Sequence, residues 1–188
     1  SNLIKDFDNI IIVGGMGNAM LKNTGVDIGK SICDDGYKDL VKEILEKSST
    51  HDCKIYYPLD IVVSKTLDGN GMIKEVNEVN KDEMILDIGP KTIKSIKDII
   101  NKSNTVLWNG PAGYFENPNF SNGTKEILEI IAHKRSKNKI YAVAGGGETV
   151  AVINKFNKLD SFDFVSTAGG AFLEYLEGKE LPGIKALN

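Results

Sequence analysis

Trp108-Asn109-Gly110-Pro111-Ala112-Gly113-Tyr114-Phe115-Glu116 follows the apolar β-type run Thr105-Val106-Leu107 and precedes a helical pattern that begins near Lys125. The run mixes rigid, polar and acidic residues. Gly110 and Gly113 permit close backbone approach, Pro111 fixes a bend, and Asn109 and Glu116 offer polar contacts. A strand before it and a helix after it would hold such a loop in one shape. Two readings follow from the residues alone: a loop built for a phosphorylated ligand, or an ordinary strand-to-helix turn.

Working outward from this loop, short β-branched runs recur at Ile10–Val13, Lys54–Tyr57, Ile61–Ser64, Thr105–Leu107, Lys139–Val143 and Phe162–Val165. Helical patterns fall between most of them. Tyr37–Lys47 puts Leu40, Val41, Ile44 and Leu45 on one face; Ile93–Ile100 does so with Ile93, Ile96, Ile99 and Ile100, and Lys125–Ala132 with Ile127, Leu128 and Ile131. Alternating strands and helices predict an α/β chain, a three-layer α/β/α Rossmann-like domain with a mainly parallel sheet covered on both faces. Thr66–Asp82, with Asp68-Gly69-Asn70-Gly71, breaks the rhythm and reads as a hairpin that decorates the domain.

Three further strand ends carry glycines: Val13-Gly14-Gly15-Met16-Gly17, Ala144-Gly145-Gly146-Gly147-Glu148-Thr149 and Ser166-Thr167-Ala168-Gly169-Gly170. Each leads into a helix-compatible stretch. In open α/β sheets, ligands collect beyond the carboxyl ends of the strands, where helix N-termini present free N–H groups and the positive end of a dipole. Three such turns and the Trp108 loop would surround one crevice. Glu148, at a helix start, suits either magnesium or the helix dipole, and Glu116 is placed to accept from ribose hydroxyls.

Neither standard nucleotide fingerprint is present. Gly15-x-Gly17 follows a strand, but Met20 stands where the third glycine of a dinucleotide motif belongs, and Gly29-Lys30-Ser31 lacks both the upstream glycine and the preceding strand of a P-loop. With 188 residues, 41% hydrophobic content and a formal charge of −3, the chain suits one domain and has no general electrostatic pull toward nucleic acid or anionic membrane. Cys33 and Cys53 make no disulfide framework or metal-ligand pair, and His51 and His133 lie in polar stretches that read as surface. No signal peptide or membrane-length apolar run stands out, so a cytoplasmic protein is expected.

Taken in order, Trp108–Glu116 with Asn119-Phe120 and Gly123-Thr124, Gly145–Thr149, and Val165–Ala171 leading to Leu173–Gly183 resemble the phosphoglycerate kinase family. The resemblance runs from about Asn9 through Leu187 and includes Ile28–Ser31, Pro58-Leu59-Asp60 and Leu86–Pro90. It implies a glycolytic phosphotransferase acting between 1,3-bisphosphoglycerate and ADP with magnesium, monomeric at full length. Residues 1–188 match only the C-terminal, nucleotide-binding domain. The N-terminal domain that holds 3-phosphoglycerate in the family, and an upstream Gly-Gly-Ala-Lys strand, have no counterpart here. A truncated protein with a gap in its own sheet, inactive alone, is therefore expected.

Carried over residue by residue, the resemblance places Gly14 and Gly15 on the adenine side, Leu86 and Gly89 near the base, Pro111 and Tyr114 as walls of the nucleoside, and Glu116 on the ribose. Asn109 would approach the nucleotide phosphates. Gly146, Gly147, Glu148 and Thr149 would hold phosphates and metal, with Glu148 the metal ligand. Gly169 and Gly170 would stabilise the transferring group as the catalytic helix start. Four positions depart from the family's usual residues: Val13 and Ile85 replace glycines, Ala168 replaces the first glycine of a triplet, and Glu148 replaces aspartate. Two other readings are carried beside this one: a non-catalytic nucleotide-binding module, and a dehydrogenase that would require an acidic end to the second strand, where Tyr57-Pro58 stands instead.

Overall fold

A computed structural model describes residues 2–33 and 35–186, apart from the side chains of Asn2 and Asp35. Leu187, where the resemblance ends, lies outside the described residues. Strands β1 (Asn9–Ile11), β2 (Lys54–Tyr56), β3 (Asp60–Ser64), β4 (Met72–Glu75), β5 (Met84–Ile88), β6 (Thr105–Trp108), β7 (Tyr141–Gly145) and β8 (Phe164–Ser166) alternate with α1 (Gly14–Asn23), α2 (Lys38–Thr50), α3 (Pro90–Lys102), α4 (Asn122–Ser136), α5 (Gly147–Lys155), α6 (Gly169–Leu176) and α7 (Pro182–Lys185). The expected α/β architecture is present, with its strands in three ladders. β1 and β2 pair in parallel, β6-β7-β8 pair in parallel, and β4-β3-β5 is antiparallel.

The antiparallel ladder contains the predicted hairpin: β4 returns along β3, pairing Asp60 with Glu75 and Val63 with Met72. Its other neighbour, β5, was not among the predicted strands, because Asp87 interrupts the apolar run of Met84–Ile88. Helix α4 buries Ile127, Leu128 and Ile131 against Ala142 and Ala144 of β7 and against Ile96 and Ile100 of α3. Each such side chain contributes about 1.5–3 kcal/mol by leaving water. This closes one face of the β6–β8 ladder. On the other, Phe172 of α6 packs against Gly145 while Tyr141 and Phe164 stay 53% and 52% exposed, so the cover on that face lies toward the carboxyl end of β7.

Two buried aspartates join the antiparallel ladder to the helices. Asp60 Oδ2 accepts from Lys91 N at 2.9 Å, and its Oδ1 accepts from Thr92 N and Thr92 Oγ1, both at 2.8 Å. A carboxylate from β3 thus caps α3, whose own N-cap residue is Gly89. Asp87 treats α4 alike, its Oδ2 accepting from Gly123 N at 2.8 Å while Oδ1 accepts from Ile88 N at 2.9 Å. At the far end of α3, the buried Lys134 of α4 donates to Ile100 O at 2.6 Å and Ser103 O at 2.7 Å, satisfying terminal carbonyls. Burial, and then the charge of Lys139, hold the Lys134 ammonium below its ordinary proton affinity.

The linker Gly29-Lys30-Ser31 is a structural tie between α1 and this ladder. Gly29 takes φ +57°, Lys30 N donates to Glu83 O at 2.7 Å, and Ile85 N donates to Ser31 Oγ at 2.8 Å. Glu83 itself accepts from Lys74 Nζ at 2.8 and 2.9 Å and from Asn80 N at 2.9 Å. These donors, Lys74 first, hold its carboxyl below the ordinary value of 4.5.

Two outcomes follow from these contacts. Replacing Asp60 by Ala leaves the Lys91 and Thr92 donors buried without a partner and should lower unfolding stability by about 2–4 kcal/mol in urea titrations with an unchanged slope. A carboxyl whose folded-state proton affinity is lowered stabilises above its unfolded pKa and loses that effect as pH falls. The stability gap between the parent and Glu83→Gln should therefore be full above about pH 5 and should close on acidification below 4.5. A gap that widens in acid would contradict this assignment.

Candidate functional site

The carboxyl ends of the parallel strands carry the site. The register brings Trp108 level with Ala144, and Gly145 level with Ser166, so the loops after β6, β7 and β8 leave the ladder at one edge. The loop after β1 joins them. A Cβ on Gly14, which opens α1 with φ +62°, would stand 3.2 Å from Pro111 O, and one on Gly146 would stand 2.6 Å from Asn109 Oδ1. A Cβ on Gly145 would strike the Phe172 ring, so α6 packs against the end of β7. These glycines have a steric reason: Gly14 lies against the loop backbone, and Gly145 and Gly146 lie against the side chains of Phe172 and Asn109.

The loop Trp108–Glu116 is fixed from below by three elements. Thr124 Oγ1, in the first turn of α4, accepts from Ala112 N at 3.0 Å and Gly113 N at 3.3 Å. Tyr114 N donates to Leu86 O of β5 at 2.7 Å. Lys155, at the end of α5, donates to Phe115 O at 2.7 Å and lies 5.5 Å from the centroid of the Phe115 ring. Trp108 is buried in the core and stacks on Phe162 with ring centroids 6.0 Å apart. Anchoring of this density leaves Asn109, Tyr114 and Glu116 pointing outward from a rigid base: all three are exposed, and Pro111 is half-buried.

Three helices start at this edge without a side-chain cap: α1 after Val13, α5 after Gly146 and α6 after Ala168. Their first N–H groups therefore face outward unsatisfied by their own N-cap residues. At α5, Gly146 takes φ 96°, Gly147 and Glu148 are exposed, and Thr149 is 1% exposed. The Thr149 hydroxyl is buried with no hydrogen-bond partner among the described residues, and it lies 3.6 Å from where a Gly146 Cβ would sit. A buried hydroxyl without a partner costs about 1–3 kcal/mol, and one placed at a helix N-terminus is suited to an incoming oxygen. At α6, Gly169 adopts φ 39° and Gly170 is exposed, both with open space around them.

The structure thus gathers Gly14, Gly15, Asn109, Pro111, Gly146, Gly147, Glu148 and Thr149 along one edge, with Gly169 and Gly170 level with them across the ladder. Leu86 lies beneath Tyr114, joined to it through the backbone. Gly89 is placed differently. It is the buried N-cap of α3, and the Asp60 carboxylate fills the volume its side chain would take, so α3 packing requires glycine there. Ala168 has φ −79°, so alanine in place of glycine carries no left-handed strain, and Val13 is extended at φ −129°. Ile85 packs with the cluster around Ile28, Ile61 and Val63.

Several contributors escaped the sequence reading. The turn of the β3–β4 hairpin is tied to the loop's exit, where Asn117 Nδ2 donates to Leu67 O at 2.7 Å and Asn119 Nδ2 to Gly69 O at 3.0 Å. Leu67 and Asp68 consequently share with Tyr114, Glu116, Asn117 and Pro118 an open groove of about 450 Å³. Thr124 entered the sequence reading only as part of the Gly123-Thr124 motif, with no role assigned, and Lys155 not at all, because the loop each holds is 11 and 40 residues away. Both histidines are exposed, and among the described residues no three His, Cys, Asp or Glu side chains converge on a metal-sized site. No described helix is long and apolar enough to cross a membrane.

Comparison with known proteins agrees with this arrangement. The phosphoglycerate kinase family model matches residues 1–179. Phosphoglycerate kinase of Zymomonas mobilis is 46% identical over 189 residues, covering 100% of this chain and 48% of the relative, and that of Rhizorhabdus wittichii is 44% identical over 188 residues, covering 99% and 47%. The structure of phosphoglycerate kinase from Coxiella burnetii superimposes with a TM-score of 0.91 at 39% identity, covering 100% of this chain and 48% of that one. The enzyme from Pyrococcus horikoshii gives 0.82 at 28% identity over 99% of this chain and 47% of its own. The chain spans about half the length of the relatives it matches. With its family-wide sequence match and its shared fold, the chain belongs to the phosphoglycerate kinase family.

Proposed function

We propose that this chain is the nucleotide-binding, C-terminal half of a phosphoglycerate kinase and holds ADP or ATP at the edge formed by α1, the Trp108–Glu116 loop, α5 and α6. The observation that carries the reading is the unpartnered, buried Thr149 hydroxyl under the uncapped start of α5. A protein that leaves both a hydroxyl and a helix N-terminus unsatisfied at one point offers them to an anion. In this reading Asn109 and the Gly146–Thr149 turn receive the phosphates, Gly14, Gly15, Leu86, Pro111 and Tyr114 enclose the nucleoside, and Glu116 accepts from the ribose. Gly89, at the start of α3, lies near the base with Leu86.

The reaction moves a phosphoryl group from the acyl phosphate of 1,3-bisphosphoglycerate to a β-phosphate oxygen of ADP. The bond to the carboxyl oxygen breaks, the bond to ADP forms, and 3-phosphoglycerate leaves as its carboxylate. No covalent bond to the protein is required, so positioning and electrostatics supply the rate. The open N–H groups at Gly169 and Gly170 are suited to the charge on the transferring oxygens. Magnesium would be held by Glu148 with nucleotide phosphate oxygens and water, and it would neutralise phosphate charge. The longer reach of glutamate compared with aspartate is accommodated by its exposed place on α5. The carboxylate substrate belongs to the half that the relatives have and this chain does not span.

Calorimetry separates a ligand hydroxyl from a packing one. Thr149→Val removes a buried, unpaired polar group, so the variant should be as stable as the parent or up to about 1 kcal/mol more stable, while binding Mg·ADP at least about tenfold more weakly. Glu148→Ala should abolish most of the magnesium dependence of that binding. Equal affinity in both variants would remove the phosphate role from α5.

A coupled assay tests the chemistry. The chain alone should form no ATP from 1,3-bisphosphoglycerate and ADP with magnesium, whereas a full-length protein containing it should do so. An inactive full-length protein that still binds Mg·ADP would favour a non-catalytic nucleotide module.

A further inference from the structure

We infer that Asp87 is a positioning residue whose ionised carboxylate holds the Trp108–Glu116 loop in the form that receives the nucleoside, so that nucleoside affinity falls on acidification; this rests on the nucleotide reading above. Asp87 is 2% exposed and belongs to the floor of the loop. Any Cβ on Gly113, in the loop, or on Gly123, at the start of α4, would collide with its Oδ1. The residues flanking these contacts bind the loop directly: Leu86 O accepts from Tyr114 N, and Thr124 Oγ1 accepts from Ala112 N and Gly113 N. One carboxylate therefore stands where β5, α4 and the loop meet. Its negative charge keeps the N–H groups of Ile88 and Gly123 directed at it.

Among the described residues no lysine or arginine forms an ion pair with this carboxylate. Burial raises the Asp87 carboxyl from 3.8 to about 6, against the downward pull of the backbone N–H groups of Gly123, Ile88 and Asn122. The ionisable groups on the surrounding elements are otherwise engaged or exposed. Asp60 of β3 caps α3, Lys91 pairs with Glu75, and Lys125 and Glu126 of α4, like Tyr114 and Glu116 of the loop, point to solvent. Protonation converts one oxygen from acceptor to donor beside N–H groups that can only donate, which loosens α4's first turn and the loop on it. Trp108, the only tryptophan of the chain, leads directly into that loop and reports on it.

Adenosine is a suitable probe because it carries no phosphate that titrates between pH 5 and 8. Calorimetry should give an affinity at least about threefold higher at pH 7.5 than at pH 5 in the parent, with the difference absent in Asp87→Asn. Trp108 emission should pass through a transition near pH 6 in the parent alone. Saturating adenosine should also lower the Asp87 titration midpoint read by carboxyl NMR, since coupling between ligand and proton is reciprocal; this needs no variant and stands even if Asp87→Asn does not fold. Equal adenosine affinity at both pH values, an unchanged midpoint, or the same pH dependence in Asp87→Asn would overturn the role of Asp87. Failure of the parent to bind Mg·ADP at pH 7.5 would instead overturn the nucleotide reading, and this inference with it.

Discussion

Two buried carboxylates, Asp60 and Asp87, hold the α3–α4 half of the structure to its antiparallel ladder by accepting from helix N-termini. A buried anion is tolerated only where hydrogen-bond donors converge on it, and the first N–H groups of a helix supply such donors along with the positive end of a dipole. Asp60 receives α3 and Asp87 receives α4. The apolar contacts between these helices and β7 then form around positions already set by polar ones. The chain thus uses costly groups where orientation matters and aliphatic side chains where only area does.

The same physics works in the opposite sense at the site. Helices α3 and α4 end their N-termini on internal carboxylates, whereas α1, α5 and α6 begin after residues that give no side-chain cap. Their donors remain open at the edge where the strands end. A chain of net charge −3 can offer an anion site there because backbone N–H groups, not lysines, meet the charge. Leaving Thr149 Oγ1 buried and unpaired belongs to the same arrangement. Stability is given up locally and the surrounding packing holds the geometry.

Much of the fold was legible because its signals are local. The facing isoleucines of Ile93–Ile100 and the sequence Ile127, Leu128, Ile131 marked α3 and α4, and the glycine runs marked strand ends, since a side chain at Gly145 or Gly146 would collide with a neighbour. The strand Met84–Ile88 escaped because Asp87 breaks its apolar pattern for a reason that lies 36 residues away, at Gly123. Gly89 needs glycine for a reason set 29 residues earlier in the chain, since the Asp60 carboxylate fills the volume a side chain would take. Likewise, the hairpin turn at Leu67 and Asp68 had no sequence sign of lying beside Tyr114 and Glu116; a pair of asparagine side chains draws it there.

By itself the sequence determined the alternation of strands and helices, the glycine-rich turns and the family they belong to, because periodicity, turn chemistry and ordered motifs are properties of neighbouring residues. Tertiary structure decided which helix starts stay open and which are closed. That choice depends on whether a carboxylate from a distant strand reaches the helix N-terminus, as Asp60 and Asp87 do, or whether none of the described residues does and a hydroxyl stays unpaired among them, as at Thr149.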